Sequence, residues 1–258
     1  MNTNKLFMKI PNYLVYVYEG SYEYENLGGE TIMGMSKNNK HLINLLINLS
    51  YNVNRRGDCK FTIVDIIGEM GLKVDNNGLI IKKVKALLQL LVNYDCIYNV
   101  NLDISKIKPN DLVICKLRED YEGNYFHVYY DDYELIKSLD LNIEEKTSML
   151  NLYCYIASRY RENYLVNPND YTIFTYDDVI KHLNIKKDTL LKARKNLIDN
   201  GLLYSDNIGK YRNENNKLKD CSNVYSYTSE GLNIGLKKSR EWYTIEHGKR
   251  NVYLKKWL

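Results

Sequence analysis

Val179, Ile180 and Leu183 recur at helical spacing, and Leu190, Leu191, Ala193, Leu197 and Ile198 resume the pattern a few residues later. Thr175, ahead of Tyr176-Asp177-Asp178, reads as a helix start. Its hydroxyl can accept an orphan N–H, and the acids favour the positive end of the helix dipole. Asn184-Ile185-Lys186-Lys187 reads as a turn and Asp188 as the cap of a second helix. Asn200-Gly201 ends that helix, because glycine accepts the left-handed conformation. Leu202-Leu203-Tyr204 follow, then a polar loop over 209–220 and an alternating, strand-like stretch over 222–228. Upstream, residues 144–160 are helical in pattern.

The same wording stands earlier in the chain. Phe61-Thr62 and Asp65 match Phe174-Thr175 and Asp178, and Ile66, Ile67, Met70 and Leu72 match Val179, Ile180, Leu183 and Ile185 in character. Ser36 can cap a helix running through Ser50, and Thr62 a short helix ending near Met70-Gly71. Asn76-Asn77-Gly78 predicts a turn and 79–93 a helix, with strand-like segments at 96–101, 111–117 and 125–130. The first copy carries extra residues around 73–78. Each copy runs helix, helix, turn, helix, strand, loop, strand. That order predicts an α+β, mainly helical fold of two tandem winged helix-turn-helix domains. In such a unit the third helix enters the major groove and the hairpin lies along the backbone. The implied division is 1–135, 136–232 and a basic-aromatic C-terminal tail at 233–258, with the two domains joined near 131–143.

The copies differ in their third helices. Arg194 and Asn196 stand where the first copy has Leu88 and Leu90. Lys186, Lys187, Thr189, Lys192, Arg194, Lys195 and Asn196 therefore form the candidate DNA-reading face, since these donors suit phosphates and base edges. The first helix, apolar nearly all round after Lys82, Lys83 and Lys85, is expected to pack against the second copy or another chain. Lys210, Arg212, Lys217 and Lys219 lie where a wing would meet phosphate or the minor groove. The tail adds Lys237, Lys238, Arg240, Lys249, Arg250, Lys255 and Lys256 among Trp242, Tyr243, Tyr253 and Trp257.

Charge sharpens this picture. Residues 1–180 hold 19 Lys and Arg against 24 Asp and Glu, whereas residues 181–258 hold 17 against 8. A basic end on a mildly acidic body suits a polyanionic partner.

Leu6-Phe7-Met8-Lys9-Ile10-Pro11-Asn12, the helix capped by Ser36, Phe61-Thr62 and the stretch 78–98 together resemble the N-terminal winged helix of plasmid and phage replication initiators of low-GC Gram-positive bacteria. The resemblance implies a non-enzymatic protein that binds repeated double-stranded DNA sites. It also implies that one winged helix serves association or regulation while the other grips DNA. The expected partners are double-stranded DNA, a second copy in a homodimer, and host replication proteins. Residues 19–30 are acidic where that family carries basic patches. A transcriptional regulator of a mobile element and a helicase-loader-type protein-interaction module share the fold and stay open.

Other chemistry is not suggested. Gly29-Glu-Thr-Ile-Met-Gly34-Met35-Ser36 nearly spells a phosphate-binding loop, but Met35 replaces the lysine such a loop needs. The five cysteines have no close pairs and the four histidines complete no zinc pattern. There is no His-hydrophobe-His motif of a nicking initiator and no assembled nucleophile triad. No cofactor is expected. With no signal-like segment or long apolar run, the expectation is a cytoplasmic protein that does not enter a membrane.

Overall fold

Each repeated unit is assembled from locally signalled helix ends and distant strand partners. The computed structural model describes residues 7–121, 124–160 and 170–255. Leu6, Lys256 and Trp257 lie outside them. The first half contains β1 (Phe7–Pro11), α1 (Tyr22–Asn26), α2 (Ile32–Met35), α3 (Leu42–Tyr51), β2 (Asp58–Phe61), α4 (Ile63–Glu69) and α5 (Leu79–Asn93). It continues with β3 (Ile97–Tyr98), β4 (Val113–Leu117), β5 (Tyr125–Tyr129) and α6 (Tyr130–Ser138). The second half contains α7 (Ile143–Ser158), β6 (Thr172–Phe174), α8 (Tyr176–Leu183), α9 (Lys187–Asp199), β7 (Tyr204–Asp206) and β8 (Gly209–Arg212). It ends with β9 (Leu218–Asp220), β10 (Asn223–Ser226), α10 (Ser229–His247) and β11 (Val252–Leu254). The class is α+β, about half helical, with small antiparallel sheets.

The repeat holds at the level of hydrogen bonds. Thr62 caps α4 by accepting from the Asp65 amide, and Thr175 caps α8 by accepting from the Asp178 amide. A residue just past each helix turns left-handed at matched positions: Gly71 at φ 74° and Asn184 at φ 50°. The third helices close alike, with the Cys96 amide on the Leu91 carbonyl and the Leu202 amide on the Leu197 carbonyl. Both units then form a three-stranded antiparallel sheet of the same order, β2-β4-β3 and β6-β10-β7. Phe61 and Phe174 end the first strand of each sheet and are both buried. The turn between α4 and α5 spans 70–78, while that between α8 and α9 spans only 184–186.

The two units share one main core. Helices α3 and α7, the first helix of each unit, are buried almost all round and pack together. A helix apolar on every side belongs in an interior rather than at a surface. Some polar groups inside this core are paired, whereas Asn151 Oδ1 and the Tyr155 hydroxyl are buried without a hydrogen-bond partner. Asn48 donates to the Tyr133 hydroxyl at 2.7 Å, and Tyr133 donates to Asn44 Oδ1 at 2.9 Å. A second link joins α2 to the end of α8, where Thr31 donates to the His182 carbonyl and Asn184 to the Gly34 carbonyl at 2.9 Å. A Cβ on Gly34 would lie 3.0 Å from the Lys181 carbonyl oxygen. The near phosphate-loop glycine thus serves close packing between units.

Several expectations need correction. The stretch 125–130 does not extend the first hairpin, because β5 pairs with β1 instead. The junction 131–143 is largely helical, as α6. Asp188 lies in the first turn of α9, and the cap position belongs to Lys186. Leu191 is exposed while Leu190, Ala193 and Leu197 are buried, since α7 covers only one side of α9. Helix α5 is not apolar all round: Lys82, Ala86, Gln89 and Asn93 form an exposed stripe. The polar loop 209–220 is a β-hairpin, and the tail is helix α10 followed by β11. No helix among the described residues is long and apolar enough to cross a membrane.

Candidate nucleic-acid interface

Strands β7 through β10 form one long hairpin. Ser205 stands opposite Tyr225, Lys210 opposite Asp220 and Arg212 opposite Leu218, all in one register. The Cys221 amide donates to the Gly209 carbonyl at 2.9 Å and carries the ladder across the gap between the strand pairs. At the tip, Asn216 turns left-handed at φ 58° and Asn213 Oδ1 accepts from the Lys217 amide at 2.8 Å. Asparagine tolerates this conformation better than other non-glycine residues.

The hairpin is braced on two sides. Strand β11 pairs with β8, setting Tyr253 opposite Lys210. That approach requires Gly209, whose added Cβ would come within 2.2 Å of the Tyr253 carbonyl oxygen. Helix α10 packs beneath, with Tyr211 stacked on His247 at 4.4 Å and the Ser222 amide donating to the Tyr243 hydroxyl at 2.9 Å. Ile208, Cys221, Val224, Leu236 and Tyr243 make a separate small core there. Arg212 donates to the Tyr253 hydroxyl at 3.3 Å and to the Asn216 carbonyl at 3.0 Å, and it lies over the Tyr253 ring. Lys210 pairs loosely with Asp220 at 3.8 Å. Lys217 and Lys219 are exposed near the tip, and no ion pair holds either among the described residues.

Helix α9 differs from its sequence reading. Arg194 is turned to β7, donating to Ser205 Oγ at 3.2 Å and to the Ser205 carbonyl at 3.0 Å. It occupies the place that buried Leu88 takes in the first unit. Lys192 pairs with Glu145, and that ammonium holds the Glu145 carboxyl below its usual range. Lys195 pairs with Asp199 at 2.6 Å. Thr189 and Asn196 line a cleft of about 380 Å³ against Asn142, Glu145 and Ser148 of the α7 start. Asn196 Nδ2 is buried there with no hydrogen-bond partner. Lys186 and Lys187, at the helix start, stand exposed, with no ion pair among the described residues.

The eleven predicted site residues thus divide into two groups. The hairpin cations and Lys186, Lys187 and Lys195 face solvent, while Arg194 and Asn196 turn inward, Thr189 lines the cleft against α7 and Lys192 is tied to α7. Glu145 was missed, and Tyr253 was named only among the aromatics of the tail. Glu145 meets Lys192 only through the packing of α7 on α9, and Tyr253 reaches Arg212 only through β11. Asp199, four residues after Lys195, was legible as a helical ion pair.

The equivalent region of the first unit is folded down. Its loop, residues 99–112, buries Ile104 and Ile107 in the main core. The Val64 amide of α4 donates to the Pro109 carbonyl at 3.2 Å, and Lys85 of α5 donates to the Ser105 carbonyl at 2.9 Å. Lys106 pairs with Asp103 at 3.4 Å.

No group of three or more His, Cys, Asp or Glu side chains among the described residues could hold a metal. The five cysteines are free and buried. No protein-family model and no curated protein matches this chain.

Proposed function

We propose that the chain is a sequence-specific duplex-DNA-binding protein made of two winged helix-turn-helix units, of which the second holds DNA. The observation that carries the reading is the second hairpin. It is braced by β11 and α10, projects Lys217 and Lys219, and carries the Arg212–Tyr253 pair on the same structure. A fixed basic hairpin beside the exposed start of a third helix suits backbone contact by the wing and groove contact by Lys186 and Lys187. The first unit, with its loop folded onto its own helices, suits a supporting or associative role. The resemblance of residues 6–12, 61–62 and 78–98 to replication initiators supports a role at repeated origin sites of a plasmid or phage. A regulator binding an operator would use the same surface, and the location of the bound sites separates the two.

A second reading is favoured by the pairing of α9. Lys192, Arg194 and Lys195 are each engaged within the chain. A helicase-loader-type module that binds protein would need no free reading face.

The test is fluorescence anisotropy on duplexes tiled across the DNA upstream of the protein's own gene, against a random duplex. The DNA reading expects repeated sites bound ~1000-fold or more above random. Binding no tighter than random would favour the protein-interaction reading.

A further inference from the structure

Helix α10 presents one face inward and leaves a patterned face outside. Gly231, Gly235, Ser239 and Tyr243, spaced four apart, are buried against the sheet. The small residues are required: a Cβ on Gly235 would lie 2.4 Å from Val224 Cγ1, and one on Gly231 2.3 Å from Ser226 Oγ. An exposed stripe flanking this face is Ile234, Lys238, Glu241 and Ile245, spaced four, three and four, a seam that suits helix pairing. Ile245 is 82% exposed and the neighbouring Trp242 54%. Large apolar side chains left this exposed mark a contact surface when they cluster.

The order of this stripe names the occupant. About a point between Ser239 and Arg240, Lys238 mirrors Glu241 and Ile234 mirrors Ile245. A two-fold axis sets a surface against itself in reverse order. An antiparallel copy of α10 would therefore place isoleucine on isoleucine and lysine on glutamate, twice each. Within one chain Lys238 already meets Glu241 at 3.1 Å, so each has a like-geometry partner to exchange across the axis. Glu241 at the centre of the stripe opposes a polyanion, which argues against nucleic acid as the occupant.

We propose that α10 pairs antiparallel with α10 of a second copy about a two-fold axis at the level of Ser239–Arg240. The seam from Ile234 to Ile245 is about 17 Å long at the helical rise of 1.5 Å per residue. So short a contact makes a reversible dimer, smaller than a standard stable interface.

Sedimentation equilibrium of the full chain from about 1 µM to about 300 µM tests this. The wild type should pass from monomer to dimer. Lys238→Glu should weaken association at least ~10-fold by setting glutamate against Glu241 twice, and Ile245→Glu should do the same. The swap Lys238→Glu with Glu241→Lys should return the constant to within about 3-fold of wild type. These positions are exposed, and circular dichroism checks that each variant is folded. A wild type monomeric throughout would overturn the proposal. So would a dimer indifferent to Lys238→Glu and Ile245→Glu, or a swap that fails to restore it.

Discussion

The first and second units have the same caps, a left-handed residue at the same position and the same sheet order, yet their hairpins behave oppositely. In the first, Ile104 and Ile107 anchor the loop to the core, and its backbone is held by α4 and α5. In the second, the stretch carries Lys210, Arg212, Lys217 and Lys219, its Tyr211 packs on α10 rather than on the main core, and the hairpin extends as a ladder instead. Two isoleucines against four cations decide whether a hairpin is a lid on its own unit or an arm into solvent. Burying each isoleucine stabilises by roughly 2 kcal/mol, while burying an unpaired ammonium costs several. The frame is therefore common and the surface is specialised.

The largest expected effect concerns what the units share. Leu152, fully buried on α7, belongs to the common core. Leu152→Ala should cost about 3 kcal/mol. Both units should lose stability in one transition, seen by hydrogen exchange in α4–α5 and α8–α9 alike. Loss confined to the second unit would break the comparison at its base.

Next is the seam at His41. Its ring is buried, with Nδ1 3.2 Å from the Thr147 hydroxyl and Nε2 3.7 Å from Glu144. Burial, with the Lys83 and Lys40 ammoniums, holds its pKa at about 4, although Glu144 pulls the other way. The folded value lies below the unfolded 6.5. The contribution is therefore complete above about pH 6.5 and is lost as pH falls toward 4, by up to roughly 3 kcal/mol. Urea unfolding at stepped pH should show this slope, and His41→Gln should flatten it between pH 4 and 6.5.

How much of this was legible follows from range. Thr62, Thr175 and Gly201 announce helix ends through bonds to residues three or four positions away, and these ends stand where the residues imply. Strands β2, β6 and β11 are three or four residues long and exist only because distant strands pair with them. The 209–220 stretch reads as a loop because its polar run has one large apolar residue packed inward, Tyr211, whose support comes from α10. Arg194 is the instructive miss. Aligned with Leu88, it looked like a polar face newly made. The structure keeps the inward geometry of the leucine and satisfies the guanidinium with Ser205. A polar substitution at a core position changes what is bonded inside before it changes the surface.

The brace on the second hairpin offers a sharper cut. Gly209→Ala sets a Cβ against the Tyr253 carbonyl and should free β11, at about 2 kcal/mol. Exchange protection should fall in 209–212 and 252–254 while the first unit is unchanged. The smallest effect compares the paired caps. Thr62→Ala and Thr175→Ala should each cost about 1 kcal/mol, and near-equality would mark the shared frame.

The specialisation itself is tested most directly by removing matched charges from the two hairpins and measuring the salt dependence of duplex binding. Lys217→Ala with Lys219→Ala should weaken binding to all duplexes and lower the salt slope by about one unit per lost contact. Lys106→Ala with Lys108→Ala should leave both affinity and slope unchanged. Equal losses from the two pairs, or no loss from either, would contradict the assignment of DNA contact to the second unit.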